Sequence, residues 1–116
     1  MPDQAWRDRC ARAMGWVQNK SKNPSQNARY WEDSSGDWVE PMSSWAPDED
    51  YDHAMMMRDK CEELGLGISF VRGVVALYAE SQAYDPVTGA QREYCAAFAT
   101  AEQIAESALT VLEAAR

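Results

Sequence analysis

Apolar residues recur along residues 4–17 with the period of an α-helix. The apolar members recur three or four positions apart: Trp6, Cys10, Ala13, Met14 and Val17. This spacing places them on one face of a helix. Asp3, directly before the segment, is a residue type that caps helix N-termini. A first helix is therefore predicted over residues 4–17.

A second helix is predicted over residues 49–64. Asp48 is the expected N-cap, and Gly65 is the residue type that ends helices in the left-handed conformation. Most of one face is apolar, made by Tyr51, Ala54, Met55, Cys61 and Leu64. The run of methionines at 55–57 is wider than one stripe needs. Two interpretations stay open: filling of gaps in a buried helix, or an adaptable methionine surface for a partner.

A last helix is predicted over residues 101–115. Thr100 and Gln103 have the spacing of a capping box, in which each side chain satisfies a backbone N–H of the other. The apolar stripe is narrow and consists of small residues for the most part: Ala101, Ile104, Ala105, Ala108, Leu112 and Ala115. Such a stripe suits close packing on a sheet.

The segment between these helices carries strand-like patterns. Residues 67–71 and 74–80 are rich in β-branched and aromatic side chains, and the pair at 72–73, Arg-Gly, is typical of a turn or bulge. Residues 92–99 alternate, with Tyr94, Ala96 and Phe98 against Glu93, Cys95 and Ala97. Three antiparallel strands in a meander are predicted.

Three tryptophans, Trp31, Trp38 and Trp45, lie seven residues apart in a polar stretch. Residues 28–40 have the pattern of a short hairpin whose turn is 33–36, although an irregular loop with aromatic anchors fits the same pattern. Trp45 and Trp16 lie beside helices and are expected in the core. Trp31 and Trp38 lie in a polar insert at 19–44, and they are expected to meet either their own sheet or a partner.

The predicted order is helix, short β segment, helix, three strands, helix. Helices and antiparallel strands are segregated, so the fold class is α+β, with an antiparallel meander covered by about three helices. The 116 residues suffice for one core, so a single domain over residues 1–116 is expected.

The net charge of −8 is unevenly distributed. Residues 1–29 hold 6 basic and 2 acidic side chains, whereas residues 30–116 hold 5 basic and 17 acidic ones. Bulk acidity excludes non-specific DNA binding, which needs a basic surface, but it permits docking on a basic, nucleic-acid-binding partner. No apolar run is long enough for a bilayer, and the N-terminus lacks an apolar signal segment, so a cytoplasmic location is expected.

No sequence pattern of a common catalytic site occurs. The chain lacks GxGxxG, GxxxxGK[ST], HExxH and GxSxG, so no enzymatic activity and no cofactor are expected. Cys10, Cys61, Cys95 and the single His53 would make four zinc ligands, but the favoured interpretation is three reduced, buried cysteines and a solvated histidine.

Four ordered features resemble the phage ABA sandwich domain family of small bacteriophage and prophage proteins. The first helix ends in Ala-Arg-Ala-Met-Gly-Trp at 11–16, similar to the family's K-V-M-G-W. The second is preceded by Trp-Ala-Pro-Asp-Glu-Asp at 45–50, similar to W-x-P-S-T-D. A strand meander follows. The sequence at 99–108, Ala-Thr-Ala-Glu-Gln-Ile-Ala-Glu-Ser-Ala, is similar to A-x-T-A-x-x-A-I-x-x-A.

The resemblance extends over roughly residues 8–113 and has two departures. Asp48-Glu49 replaces the family's usual Ser-Thr, which preserves capping, and the insert with Trp31 and Trp38 has no counterpart. The resemblance implies a sheet covered by helices and a phage origin. It implies no activity, because no catalytic residue is carried over.

Two classes of function remain, with a structural phage protein as a third. The first is a protein-binding accessory protein, most concretely an anti-CRISPR-like inhibitor of a host defence complex. The contacts expected for it are Trp31, Trp38, Asp48, Glu49, Asp50, Asp52 and Met56. The second is a binder of a nucleotide signal, with Trp31 or Trp38 stacking on the base and Lys20, Lys22 or Arg29 holding phosphate. A homodimer through an edge strand or the alanine-rich last helix is a further hypothesis.

Overall fold

The computed structural model describes residues 2–20 and 29–115. Internal contacts group the chain into two compact units, Met1–Ala46 and Pro47–Arg116, referred to below as unit 1 and unit 2. The single domain expected over residues 1–116 stays a prediction.

The α+β class is confirmed, but the predicted topology is not. The described residues form α1 (Gln4–Ala13), β1 (Val17–Lys20), β2 (Arg29–Glu32), β3 (Trp38–Pro41), α2 (Tyr51–Glu63), α3 (Gly67–Ser81), α4 (Gly89–Ala97) and α5 (Ala101–Ala114). The sheet belongs to unit 1, and α2 to α5 belong to unit 2. The strand meander expected within residues 67–99 is wrong, because those residues form two helices.

Helix α1 begins where the capping residue predicts. The Asp3 carboxylate accepts a hydrogen bond of 2.9 Å from the backbone N–H of Trp6. The helix ends at Ala13, earlier than expected, and Gly15 follows with a φ of +84°. That left-handed conformation suits glycine, which has no Cβ to clash. The chain turns there, so Val17 starts a strand instead of extending the helix.

The sheet is antiparallel in the order β1-β2-β3. The hairpin expected within residues 28–40 is confirmed as β2 and β3. Its turn is held by the Asp33 carboxylate, which accepts hydrogen bonds from the N–H groups of Ser35 (2.9 Å) and Asp37 (3.0 Å). The third strand of the sheet, β1, lies where the sequence predicts the end of the first helix and the start of the polar insert at 19–44.

Two tryptophans predicted for the core are buried in unit 1. Trp16 and Trp45 meet edge to face with ring centroids 4.8 Å apart. The indole N–H of Trp45 also donates a 2.9 Å hydrogen bond to the carbonyl of Arg7. Trp45 therefore fixes helix α1 through both packing and a polar contact.

Helix α5 is the central element of unit 2. Its predicted capping box is confirmed, with Thr100 Oγ1 accepting from the N–H of Gln103 at 3.1 Å. The buried stripe is confirmed except for exposed Ala115, and it comprises Ala101, Ile104, Ala105, Ser107, Ala108, Leu109 and Leu112. The stripe packs against α2 and α3 instead of a sheet. Small side chains serve this purpose equally well, since they let helix axes approach closely.

Helix α2 begins two residues later than the sequence analysis places it. Asp50, not Asp48, is the N-cap, and its carboxylate accepts from the N–H groups of Asp52 (2.8 Å) and His53 (3.3 Å). Several acidic residues stand in a row here, so residue type alone does not select the cap. The helix ends as predicted at Gly65, with a φ of +75°.

Helix α3 replaces two predicted strands because its core side chains follow a helical repeat. Phe70 and Val74, four residues apart, are both buried. Between them, Gly73 lies directly against Ser107 of α5, whose hydroxyl donates a 2.7 Å hydrogen bond to the carbonyl of Phe70. The glycine expected in a turn or bulge instead permits a close helix–helix approach.

Helix α4 replaces the third predicted strand. Thr88 and Gln91 form a capping box, with Thr88 Oγ1 accepting from the N–H of Gln91 at 3.1 Å. Cys95 is the buried side chain of this helix, while Tyr94 and Phe98 are exposed. The alternating pattern of residues 92–99 therefore does not correspond to alternating burial.

Substitution of Gly73 by alanine is expected to destabilise unit 2 by about 1–3 kcal/mol through overpacking. An added Cβ would overlap Ser107 Oγ and lie 3.3 Å from Ser107 Cβ, which outweighs alanine's advantage of roughly 1 kcal/mol in helices. Urea denaturation followed by the helical circular dichroism signal measures this loss.

Two further variants test the cause. Gly67→Ala, in the same helix with no atom near the added Cβ, should be neutral or stabilising. Gly73→Ala combined with Ser107→Ala should recover at least half of the loss, because the overlapping hydroxyl is removed. Strict additivity of the two single substitutions would refute the proposed clash.

Candidate functional site

Trp38 is the predicted site residue that the structure exposes most clearly. Its side chain is 60% exposed on β3. Residues 29–41, referred to below as the Trp38 hairpin, hold one basic residue, Arg29, and four acidic ones: Glu32, Asp33, Asp37 and Glu40. Tryptophan is enriched in protein interfaces, so an exposed indole beside these carboxylates is a candidate anchor for a protein contact.

Hydrogen bonds within unit 1 give the Trp38 hairpin a defined shape. The amide of Asn19 on β1 donates to Glu32 on β2 and to the hydroxyl of Tyr30, the latter over 2.6 Å. The hydroxyl of Ser44 donates to the Glu40 carboxylate at 2.8 Å. Together with the turn at Asp33, these contacts fix the backbone that carries Trp38.

Trp31 requires a correction, because it is fully buried and does not form part of an exposed surface. It lies on the central strand β2, opposite Gln18 of β1 and Glu40 of β3, while Glu32 lies opposite Trp38. Neighbours along a strand point to opposite faces, and residues paired across strands share a face. Trp31 and Trp38 are therefore on opposite faces of the sheet.

A register shift produces this separation. The pairing of β2 with β3 is irregular between Trp31 and Glu32, and such a bulge redirects side chains. The ring nitrogen of Trp31 is buried and has no hydrogen-bond partner among the described residues. On the buried face of the sheet, the described residues therefore hold the Trp31 indole through packing and make no hydrogen bond to its ring nitrogen.

The acidic segment 48–52 lies in unit 2, at the start of α2. Glu49, Asp50 and Asp52 are exposed, and Asp48 is half-buried. Asp50 is committed to capping, so its carboxylate serves the helix first. The Trp38 hairpin and this segment belong to different units, and each is a separate candidate surface.

His53 differs from its expected solvated position. Its side chain is buried, and Nε2 lies 3.8 Å from the Asp50 carboxylate. As the third residue of α2, it faces inward from the helix start. Within the methionine run, Met57 is fully buried while Met55 and Met56 are half-buried. Met56 is therefore only a partial member of any surface.

The three cysteines are buried and form no disulfide with one another, as predicted. Burial raises the pKa of the Cys61 thiol to about 11, so this thiol stays protonated at neutral pH and is a poor nucleophile. Among the described residues, no three His, Cys, Asp or Glu side chains are grouped to hold a metal ion.

Helix α3 of unit 2 has an exposed apolar surface that the strand-like sequence pattern does not predict. Ile68 is 72% and Val71 is 47% exposed. A groove of about 500 Å³ lies on each side of Val71 and Arg72, one towards α2 and one towards α4. A helical reading of residues 67–81 would have shown that 68, 71 and 75 form a second apolar stripe beside 70, 74 and 77.

The nucleotide-binding hypothesis loses one of its two stacking residues, because Trp31 is buried. Its phosphate-holding residues, Lys20, Lys22 and Arg29, fall outside the side chains that the structure describes. Trp38 is the remaining exposed element of that hypothesis, and it lies among carboxylates that repel phosphate.

Comparison with known proteins returned no match to a family model, a curated protein or a solved structure. Within residues 2–20 and 29–115, no helix is both long and apolar enough to cross a membrane.

Proposed function

We propose that the chain is a non-enzymatic protein-binding module that docks through the Trp38 hairpin on a basic surface of another protein. The observation that carries this proposal is the 60% exposure of Trp38 on a hairpin with four carboxylates, whose one basic residue is Arg29 at the start of β2. A large aromatic side chain left in water is unfavourable, and contact with a partner would bury it.

The charge and the aromatic ring contribute different parts of binding. The carboxylates of the Trp38 hairpin attract a basic surface and accelerate association. The indole supplies the close contact, and buried tryptophan anchors typically contribute about 2 kcal/mol or more. Because the hairpin is held by its own hydrogen bonds, little conformational entropy is lost on binding.

The narrower proposal is an inhibitor of a host defence complex, of the anti-CRISPR kind, in a phage-encoded protein acting in the host cytoplasm. A guide-RNA-loaded complex presents basic surfaces that receive nucleic acid, and an acidic hairpin competes for such surfaces. The sequence motifs at 11–16, 45–50 and 99–108 that resemble phage ABA sandwich proteins and the net charge of −8 support this direction, whereas the strand meander, the fourth resembling feature, is replaced by helices. The acidic segment 48–52 and Met56 would provide secondary contacts.

The expected result is inhibition of target-DNA binding by guide-RNA-loaded defence complexes, with loss of inhibition in Trp38→Ala. Removal of the anchor should weaken inhibition by at least about 30-fold, the equivalent of about 2 kcal/mol. Electrophoretic mobility or fluorescence anisotropy of the labelled target DNA measures it, and inhibition should weaken at high salt.

Phe98→Ala is the matched control, because Phe98 is 61% exposed but lies in unit 2, outside the Trp38 hairpin. Its inhibition should equal that of the unmodified chain. Equal effects of the two substitutions would count against the Trp38 hairpin as the contact. Absence of inhibition across a panel of defence complexes would remove the narrower proposal.

A further inference from the structure

Helix α3 is apolar on two sides, but unit 2 buries only one of them. Its fifteen residues contain two charged side chains, Arg72 and Glu80. Phe70 and Val74 are buried, whereas Ile68 and Val71 are exposed. With about 100° of rotation per residue, Ile68 lies roughly 140° and Val71 roughly 80° around the helix from the mean direction of Phe70 and Val74. A helix that is apolar on nearly all sides is normally buried.

The exposed side of α3 has a ridge and grooves, the features through which helices pack together. Ile68, Val71 and Arg72 form a ridge, referred to below with Val75 and Ala76 as the α3 face. The grooves on either side are of similar size, about 500 Å³ each. Helices pack by placing the ridge of one into the groove of the other. When two such surfaces meet across a two-fold axis, the ridge of each copy faces a groove of the other.

The charges around the α3 face are balanced, unlike those of the whole chain. Three basic and three acidic side chains line the two grooves: Arg58, Arg72, Arg92, Glu62, Asp85 and Glu93. Two copies of a chain with a net charge of −8 repel each other over most of their surfaces. The α3 face carries no net charge and adds nothing to this repulsion, so basic groups of one copy can meet acidic groups of the other.

We infer that the α3 face binds a second copy of this chain, forming a two-fold symmetric homodimer. The apolar ridge of each copy occupies a groove of the other, and the six charged side chains form a mixed rim. A strongly basic partner is a poorer fit, because the rim offers it no net attraction.

This assignment differs from the dimer contacts expected from the sequence. The alanine-rich stripe of α5 is buried against α2 and α3, so it offers no free surface. The edge strand β1 belongs to unit 1 and contains exposed Val17, which makes it the alternative for the test. The inference goes beyond the proposed function and uses a different surface from the Trp38 hairpin.

Sedimentation equilibrium of the full chain, from micromolar to millimolar concentration, tests the dimer. The expected mass at high concentration is twice that of one chain. Ile68→Asp should raise the dissociation constant at least about 100-fold, because it buries an unpaired carboxylate in each copy. Position 68 is in the first turn of α3, where a carboxylate favours the helix, so the variant should stay folded.

Ser69→Asp is the matched control. It adds the same charge at the next position of the same helix turn, but the exposed Ser69 lies about 100° around α3 from Ile68 and about 160° from Val71. Its dissociation constant should stay within about threefold of the unmodified chain. If both aspartates weaken the dimer equally, general charge repulsion is responsible and the inference is overturned.

Two other outcomes also overturn it. A chain that stays monomeric at millimolar concentration has no such interface. A dimer that resists Ile68→Asp but dissociates with Val17→Asp assembles through the edge strand. Hydrogen exchange of the unmodified chain provides a test without substitution: dilution should increase exchange in α3 and leave β1 unchanged. The opposite distribution contradicts the α3 face.

Discussion

Replacement of Trp45 by alanine is expected to lower the free energy of unfolding of unit 1 by about 3–5 kcal/mol. The side chain is fully buried, and its ring packs edge-on against Trp16. Truncation removes this contact, leaves a cavity, and deprives the Arg7 carbonyl of the 2.9 Å hydrogen bond from the indole. The single substitution therefore loses both the packing of the ring and its hydrogen bond.

The measurement is amide hydrogen exchange in α1 and β3 as a function of denaturant. Trp45→Phe separates the two contributions, because it keeps an aromatic ring but lacks the N–H. It should cost about 1–3 kcal/mol less than alanine while still losing the hydrogen bond. A loss under 1 kcal/mol for alanine would show that the buried indole contributes little to unit 1.

Replacement of Trp31 by alanine is the second large effect, about 3–5 kcal/mol, since it also empties a fully buried site. Trp38→Ala, on the opposite face of the same hairpin, should change stability by less than about 0.5 kcal/mol. The two substitutions remove the same side chain from adjacent strands. The difference between the two losses of stability therefore measures the effect of burial, because the residue type is the same.

Trp31→Phe provides a sharper comparison. The indole nitrogen of Trp31 has no hydrogen-bond partner among the described residues, so phenylalanine loses no polar contact and removes a buried unsatisfied N–H. Trp31→Phe should consequently be milder than Trp45→Phe in the same exchange measurement. Equal losses at Trp31 and Trp38 on replacement by alanine would contradict the opposite placement of the two rings.

The caps in the sequence predicted helix starts better than the strand-like composition predicted strands. Asp3 and Thr100 mark the starts of α1 and α5 because their side chains satisfy backbone groups locally. Thr88 and Gln91 have the same capping-box spacing. The alternating residues 92–99 that follow nevertheless favour a strand when the sequence is considered alone. Local hydrogen bonds were the better guide there.

Tertiary packing explains why α3 was mistaken for strands. Its β-branched residues favour strands when considered alone, and Gly73 has the composition of a turn. In the fold, the absence of a side chain at Gly73 allows α3 to lie against Ser107 of α5. Ser107 is far from Gly73 in sequence, so the local sequence pattern does not predict this contact. Strand β1 was missed for a related reason: its residues are mostly polar, and its pairing with β2 depends on the backbone.

The candidate sites were predictable to different degrees. Exposure of Trp38 agrees with a tryptophan beside turn residues, whereas burial of Trp31 depends on a register shift that the sequence does not reveal. The α3 face could not be recognised while residues 67–80 were interpreted as strands. Its exposed stripe becomes visible only with a helical period.

The distribution of aromatic residues gives the two units separate spectroscopic signals. All five tryptophans, at 6, 16, 31, 38 and 45, belong to unit 1, whereas unit 2 has none. Tryptophan emission therefore reports unit 1, while helical ellipticity reports mainly unit 2, which contains α2 to α5. Superposition of the two signals during one denaturation measures directly whether the units unfold as one cooperative system.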